Sequence, residues 1–160
     1  MTVTNVEKDP AAMTMSITSE LAAPIERVWQ LWENPRLLER WWGPPAYPAT
    51  FVDHDLSVGY LVSYFMTGPG GDQPHGWWRL LEVEAPRSLR FESGFADEGG
   101  VPSTVMPFMI NRVTMSEKSK GVTEMVIETT FSSLADMEKI LSMGMEEGMK
   151  GALSQVDALL

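Results

Sequence analysis

Two histidines and no cysteine limit the chemistry open to this chain. Without a thiol there is no thiolate zinc site, no disulfide framework and no cysteine nucleophile. His54 stands between Asp53 and Asp55, all of them ligand types. Neighbours on a strand point to opposite faces, however, so the three do not converge on one ion. Two histidines are also a thin basis for zinc or iron, and the sequence implies no metal and no cofactor. His75 and Arg79 are the only catalytic candidates. They could serve as the acid–base groups of a cofactor-free cyclase or dehydratase working in a dry pocket. Asn111 and Arg112 also sit in an otherwise apolar strand. A buried Arg or His must be paired, so any of His54, His75, Arg79 and Arg112 that points inward would orient a ligand carboxylate or carbonyl. The alternative for each is an outward, solvated side chain. Glu82, just ahead of Ala85-Pro86, reads as structural. The glycine-rich stretch 68–72 lacks a following Lys-Ser/Thr and opens no helix, which makes it a hairpin turn and not a phosphate cradle.

Positioning such groups falls to one domain. The chain has 160 residues, 44% of them hydrophobic, enough for a single sizeable core. Its 12 basic and 22 acidic residues give a net charge of −10, which argues against nucleic-acid partners and against anionic membrane surfaces. No apolar run is long enough to span a membrane, and the polar start has no signal-peptide stretch, so a cytoplasmic location is expected. Twelve Met and six Trp are a heavy load of large, soft side chains for this length.

Residues 1–12 read as a flexible N-terminus. Met13, Met15, Ile17 and Leu21 then alternate with polar residues as a half-buried strand. Ile25, Val28, Trp29 and Trp32 fall on one face of a short helix begun at Pro24. Asn34-Pro35 ends it and caps a second helix, which Gly43 and the following prolines stop. Six strand-like runs follow, near 46–54, 58–67, 75–84, 88–96, 105–116 and 122–131, separated by turn residues. Connections this short require an antiparallel sheet. Residues 133–160 read as one long helix, with Ser133 and Asp136 resembling a capping box. Its apolar stripe is Met137, Leu141, Met145, Met149 and Leu153. Beside that stripe runs a row of small residues, Gly144, Gly148 and Ala152. Each interior glycine costs about 1 kcal/mol relative to alanine. Either another backbone approaches that face closely, or the missing bulk leaves room for a guest.

The α+β order of strand, two short helices, six-stranded meander and long helix is the helix-grip layout, with seven antiparallel strands and an enclosed cavity. The segment 17–44 resembles the opening signature of the START-like (SRPBCC) superfamily, in the branch related to the activator of the heat-shock chaperone ATPase. Pro24, Val28, Trp29, Pro35, Leu38, Trp41, Trp42, Gly43 and Pro44 carry that match. Glu82, Val83, Pro86, Leu89 and Phe91 are similar to its strand–turn–strand, and residues 144–160 to its final helix. The resemblance implies a single START-like domain over 13–160. It also raises a chaperone interaction and a part in the stress response. Many such relatives carry Trp where this chain has Met149, and a thinner, more flexible side chain there softens or enlarges the space under the helix.

A helix laid across a curved sheet leaves a wedge between them, and an unfilled wedge is an apolar small-molecule site. The expected lining is Phe51, Tyr64, Trp78, Phe91, Phe95 and Phe108 from the sheet, with Met145 and Met149 from the helix. The same residues would otherwise be packed core. The leading function is therefore binding of a hydrophobic small molecule, lipid-like or aromatic, by a non-catalytic or weakly catalytic domain. The strands near 58–67 and 105–110 are apolar on both faces, which leaves open a homodimer contact or a covering of loops.

Overall fold

The computed structural model describes residues 2–160. One eight-stranded antiparallel sheet runs through it in the order β1-β2-β8-β7-β6-β5-β4-β3. The strands are β1 (Val3–Asp9), β2 (Thr14–Leu21), β3 (Ala49–Asp53), β4 (Leu61–Met66), β5 (His75–Glu84), β6 (Ser88–Ala96), β7 (Met109–Ser119) and β8 (Val122–Phe131). Between β2 and β3 lie two short helices, α1 (Ile25–Glu33) and α2 (Pro35–Leu38). After β8 come α3 (Leu134–Ser142), α4 (Met145–Leu153) and a closing 3-10 turn, Asp157–Leu159. No helix among the described residues is long and apolar enough to cross a membrane.

The fold is the helix-grip layout, but the sheet has eight strands and not seven. The additional strand, β1, lies within the segment expected to be flexible and pairs antiparallel with β2 through a turn in which Met13 takes φ 58°. Its alternation is hard to see because it is an edge strand whose side chains are mostly exposed. Lys8 of β1 reaches across to Glu146 at the start of α4. That cation holds the Glu146 carboxyl below its ordinary value.

Alternation decides which side chains face the core. Met15, Ile17, Ser19 and Leu21 of β2, Asn111, Val113 and Met115 of β7, and Met125, Ile127, Thr129 and Phe131 of β8 are all buried on one face. α1 covers one end of that face with Ile25, Val28, Trp29, Leu31 and Trp32. There the indole N–H of Trp32 donates to the Met125 sulfur at 3.3 Å, and that of Trp41 to the Leu31 carbonyl at 3.0 Å. β7 starts at Met109, four residues later than the sequence pattern suggests. Residues 97–108 form a loop closed by an Ala96–Pro102 bridge, and Pro102 and Pro107 cannot donate to a ladder.

The terminal helix is broken. Ser133 caps α3 by accepting from the Asp136 N–H. Gly144, at φ 90°, takes the left-handed conformation and separates α3 from α4. A residue with a side chain is disfavoured in that conformation, so this glycine makes the bend and is not an interior helical residue. Met137 and Ile140 anchor α3; Ala152, Leu153 and Val156 anchor the segment after the bend. The Gln155 side-chain amide donates to the Gly43 carbonyl at 2.7 Å and ties that end to the loop after α2.

Candidate functional site

Under the bend the concave face is hollow. The cavity has a volume of about 290 Å³. β4, β6 and β7 form its floor and far wall with Tyr64, Met66, Phe95 and Met109, and Trp42 and Pro44 close one side. α3 and α4 roof it with Ile140, Met143, Met145, Gly148 and Met149. Met145, Gly148 and Met149 share one face of α4 because residues three and four apart are neighbours on a helix. A Cβ placed on Gly148 would meet no atom within 4 Å. Of the small-residue row, then, Gly148 leaves space over the cavity, Ala152 is buried in the core and Gly144 is turned to solvent at the bend.

Four of the eight residues expected to line the site are on its wall: Tyr64, Phe95, Met145 and Met149. Phe51, Trp78 and Phe91 are not. They are fully or almost fully buried and packed against one another, with Trp78 stacked on Phe91 at 4.4 Å between ring centroids and set edge-on to Phe51 at 5.5 Å. Their inward phase is as expected, but Trp32 of α1 and Trp42, beyond α2, fill the space above them. Phe108 is 47% exposed in the loop before β7.

Tyr64 marks where filled core gives way to hollow. Its ring lies across the neighbouring strand at Gly76, where a Cβ would come within 2.5 Å of the hydroxyl. Burial pushes its hydroxyl above the ordinary value of 10.0, opposed by the nearby indole N–H groups of Trp42 and Trp78. Neither indole reaches hydrogen-bonding geometry with an acceptor. The phenol is thus neutral throughout the physiological range.

The charged candidates lie elsewhere. Arg79 is exposed on the outer face. His75 shares that face, its ring 5.3 Å from Phe65 and its Nδ1–H donating to the Gln73 carbonyl at 2.8 Å. The pair therefore does not meet in the cavity. A small neighbouring void of about 110 Å³, lined by Met66, Ser93, Phe95 and Met109, reaches His75. Arg112 is also outward, 3.5 Å from Glu82, which in turn accepts from Arg90 at 3.1 Å. Glu82 thus binds two arginines on the outer face. His54 donates from Nε2 to the Trp32 carbonyl at 2.8 Å. Burial lowers its pKa below the ordinary 6.5, outweighing those backbone carbonyls and nearby acids. It borders a separate polar cleft with Glu33 and Asp55, at the C-terminal end of α1. Those acids are engaged by Trp29 and Ser57 respectively, and no metal-holding cluster of His, Cys, Asp or Glu occurs among the described residues.

What the cavity does hold is a neutral polar chain on its floor. Thr129 Oγ1 donates to Asn111 Oδ1 at 2.8 Å, and Asn111 Nδ2 donates to Ser93 Oγ at 2.7 Å. Asn111 and Thr129 are direct cross-strand partners, with Ser93 diagonal to Asn111 on β6. Sequence reasoning singled out Asn111 and missed Ser93 and Thr129. A signal for them exists: each is polar in the inward phase of an otherwise apolar strand, alongside Phe91 and Phe95 in β6 and Ile127 and Phe131 in β8.

A curved antiparallel sheet gripping a helix around an apolar cavity defines the class as a helix-grip protein. The family description "Activator of Hsp90 ATPase homolog 1-like protein" matches residues 22–160, and the chain belongs to that family. Among solved structures, it is similar to a Mycobacterium smegmatis protein at 45% identity and TM-score 0.91, covering 99% of this chain and 96% of that one. An Arthrobacter aurescens protein is 46% identical with TM-score 0.94, covering 99% and 91%. A Staphylococcus epidermidis protein is 27% identical with TM-score 0.84, covering 98% and 93%. No curated protein matches the chain.

Proposed function

We propose that this protein binds a small hydrophobic molecule in the cavity between α4 and the sheet. The observation that carries the reading is a roof built without bulk: Gly148 faces open space between Met145 and Met149. Methionine is unbranched and polarisable, so such walls adapt to a guest. A volume of about 290 Å³ lies at the low end for small-molecule sites. It suits a one- or two-ring aromatic or a short acyl chain better than a sterol. The family description supplies a competing reading, stimulation of a chaperone ATPase. Chaperone capture or ATPase stimulation that persists when the cavity is filled would favour that reading.

Gly148→Leu tests the proposal, because the new side chain enters free space. Thermal-shift and native mass spectrometry against fatty acids, sterols and aromatic polyketides should show ligands that raise the melting temperature of the wild type and leave the folded variant unmoved. Equal shifts for the two proteins would place binding elsewhere and defeat the reading.

A further inference from the structure

The polar chain on the cavity floor has a direction. The Thr129 hydroxyl donates to Asn111, one of the two Asn111 amide N–H groups donates to Ser93, and the chain stops there. Ser93 Oγ accepts from Asn111, and no group among the described residues accepts the Ser93 hydroxyl proton. Ser93 is also the most accessible of the three, at 8% exposure against 6% for Asn111 and 2% for Thr129. A donor with no acceptor inside an apolar cavity is a favourable place for a ligand oxygen. Donation along the chain polarises that last O–H further.

The rest of the wall says what kind of oxygen. Among the described residues no Lys, Arg or His borders the main cavity, whose one titratable group, Tyr64, is held neutral; His75 reaches only the small adjoining void, which Ser93 also lines. A carboxylate brought there would be desolvated without a counter-charge, inside a chain of net charge −10. We infer, building on the binding reading above, that the ligand is a neutral carbonyl compound. Its apolar body lies against the methionines and its oxygen accepts a hydrogen bond from Ser93. Ser93 is the specificity-determining residue, and Asn111 and Thr129 are positioning residues that aim it.

Three probes of nearly equal shape separate the possibilities: 2-acetonaphthone (neutral acceptor), 2-ethylnaphthalene (no acceptor) and 2-naphthoate (anion). Their affinities are measured by calorimetry on the wild type, Ser93→Ala, Thr129→Val and Gly148→Leu, each checked for folding by circular dichroism. The ketone should bind the wild type about three- to tenfold tighter than the hydrocarbon, the usual worth of one net hydrogen bond. The anion should bind at least about tenfold more weakly than the ketone. Ser93→Ala should remove the ketone's advantage without changing the hydrocarbon, and Thr129→Val should reduce it in part. Thr129→Val keeps the inference testable should Ser93→Ala not fold. Equal binding of ketone and hydrocarbon to the wild type, or anion binding as tight as the ketone, overturns the carbonyl inference. If that binding is still lost in Gly148→Leu, the cavity reading survives. Failure of all three probes to bind the wild type, or binding indifferent to Gly148→Leu, overturns both.

Discussion

Around Trp78 the rings of Trp32, Trp42, Phe51 and Phe91 stand with centroids 4.4 to 6.0 Å away, mostly tilted or edge-on, and of these Trp42 alone reaches the cavity wall. Further along the same concave face, toward α4, the thioethers of Met66, Met109, Met145 and Met149 stand beside Tyr64 and Phe95, and the face is hollow. Both halves are apolar and both hang from the same strands. The difference lies in stiffness. Aromatic rings have few rotamers and interlock edge to face, whereas a methionine chain reshapes itself around whatever lies beside it. The aromatic half holds the sheet and α1 in fixed relation, which lets the methionine half stay open without collapsing.

The largest effect separating the halves should come from truncation. Trp78→Ala opens a void in solid core and should destabilise the fold by about 3–5 kcal/mol. Met145→Ala enlarges a space already present at a half-exposed site and should cost about 1 kcal/mol or less. Denaturant unfolding measures both, and comparable losses would mean that the methionine half is as firmly packed as the aromatic one. A smaller contrast lies within the roof. Gly144→Ala should cost about 1–2 kcal/mol because residue 144 sits in the left-handed region. Gly148→Ala should stabilise by up to about 1 kcal/mol, since that glycine is helical and unobstructed. Thermal melts of the two variants should move in opposite directions.

The smallest expected effect is a pH dependence confined to the aromatic half. Burial depresses the His54 pKa below 6.5 in the folded protein. As pH falls through that range the unfolded chain takes up the proton more readily, so stability is present above it and declines on acidification. His54→Gln keeps a donor for the Trp32 carbonyl but does not titrate. Its melting temperature should fall less than that of the wild type between about pH 7 and pH 5, while probe affinity in the cavity stays the same in both proteins. Equal slopes would show that His54 is not the group responsible.

Much of the architecture is written locally. Strands 75–84, 88–96 and 122–131 have the boundaries that their alternation and turns indicate, and Asn34 and Ser133 cap the helices they precede. β1 escaped notice because an exposed edge strand needs no apolar alternation. The bend at Gly144 was hidden because Leu141 and Met145 keep the apolar spacing of an unbroken helix on either side of it. The site was half legible. Tyr64, Phe95, Met145 and Met149 were recognisable as large inward residues, but nothing in their types separates a wall from a filled core.

By itself the sequence determined which face of each strand turns inward and that a helix must cover that face. These follow from periods of two and 3.6 residues and from the positions of proline, glycine and caps. Only the tertiary structure decided where the covered face is filled and where it is empty. Filling depends on which side chains from distant segments meet: Trp32 and Trp42 arrive over Trp78, and nothing arrives over Gly148. It likewise decided that Ser93, Asn111 and Thr129 form one chain, since strand register sets them side by side and only contact makes three isolated polar residues a single hydrogen-bonding device.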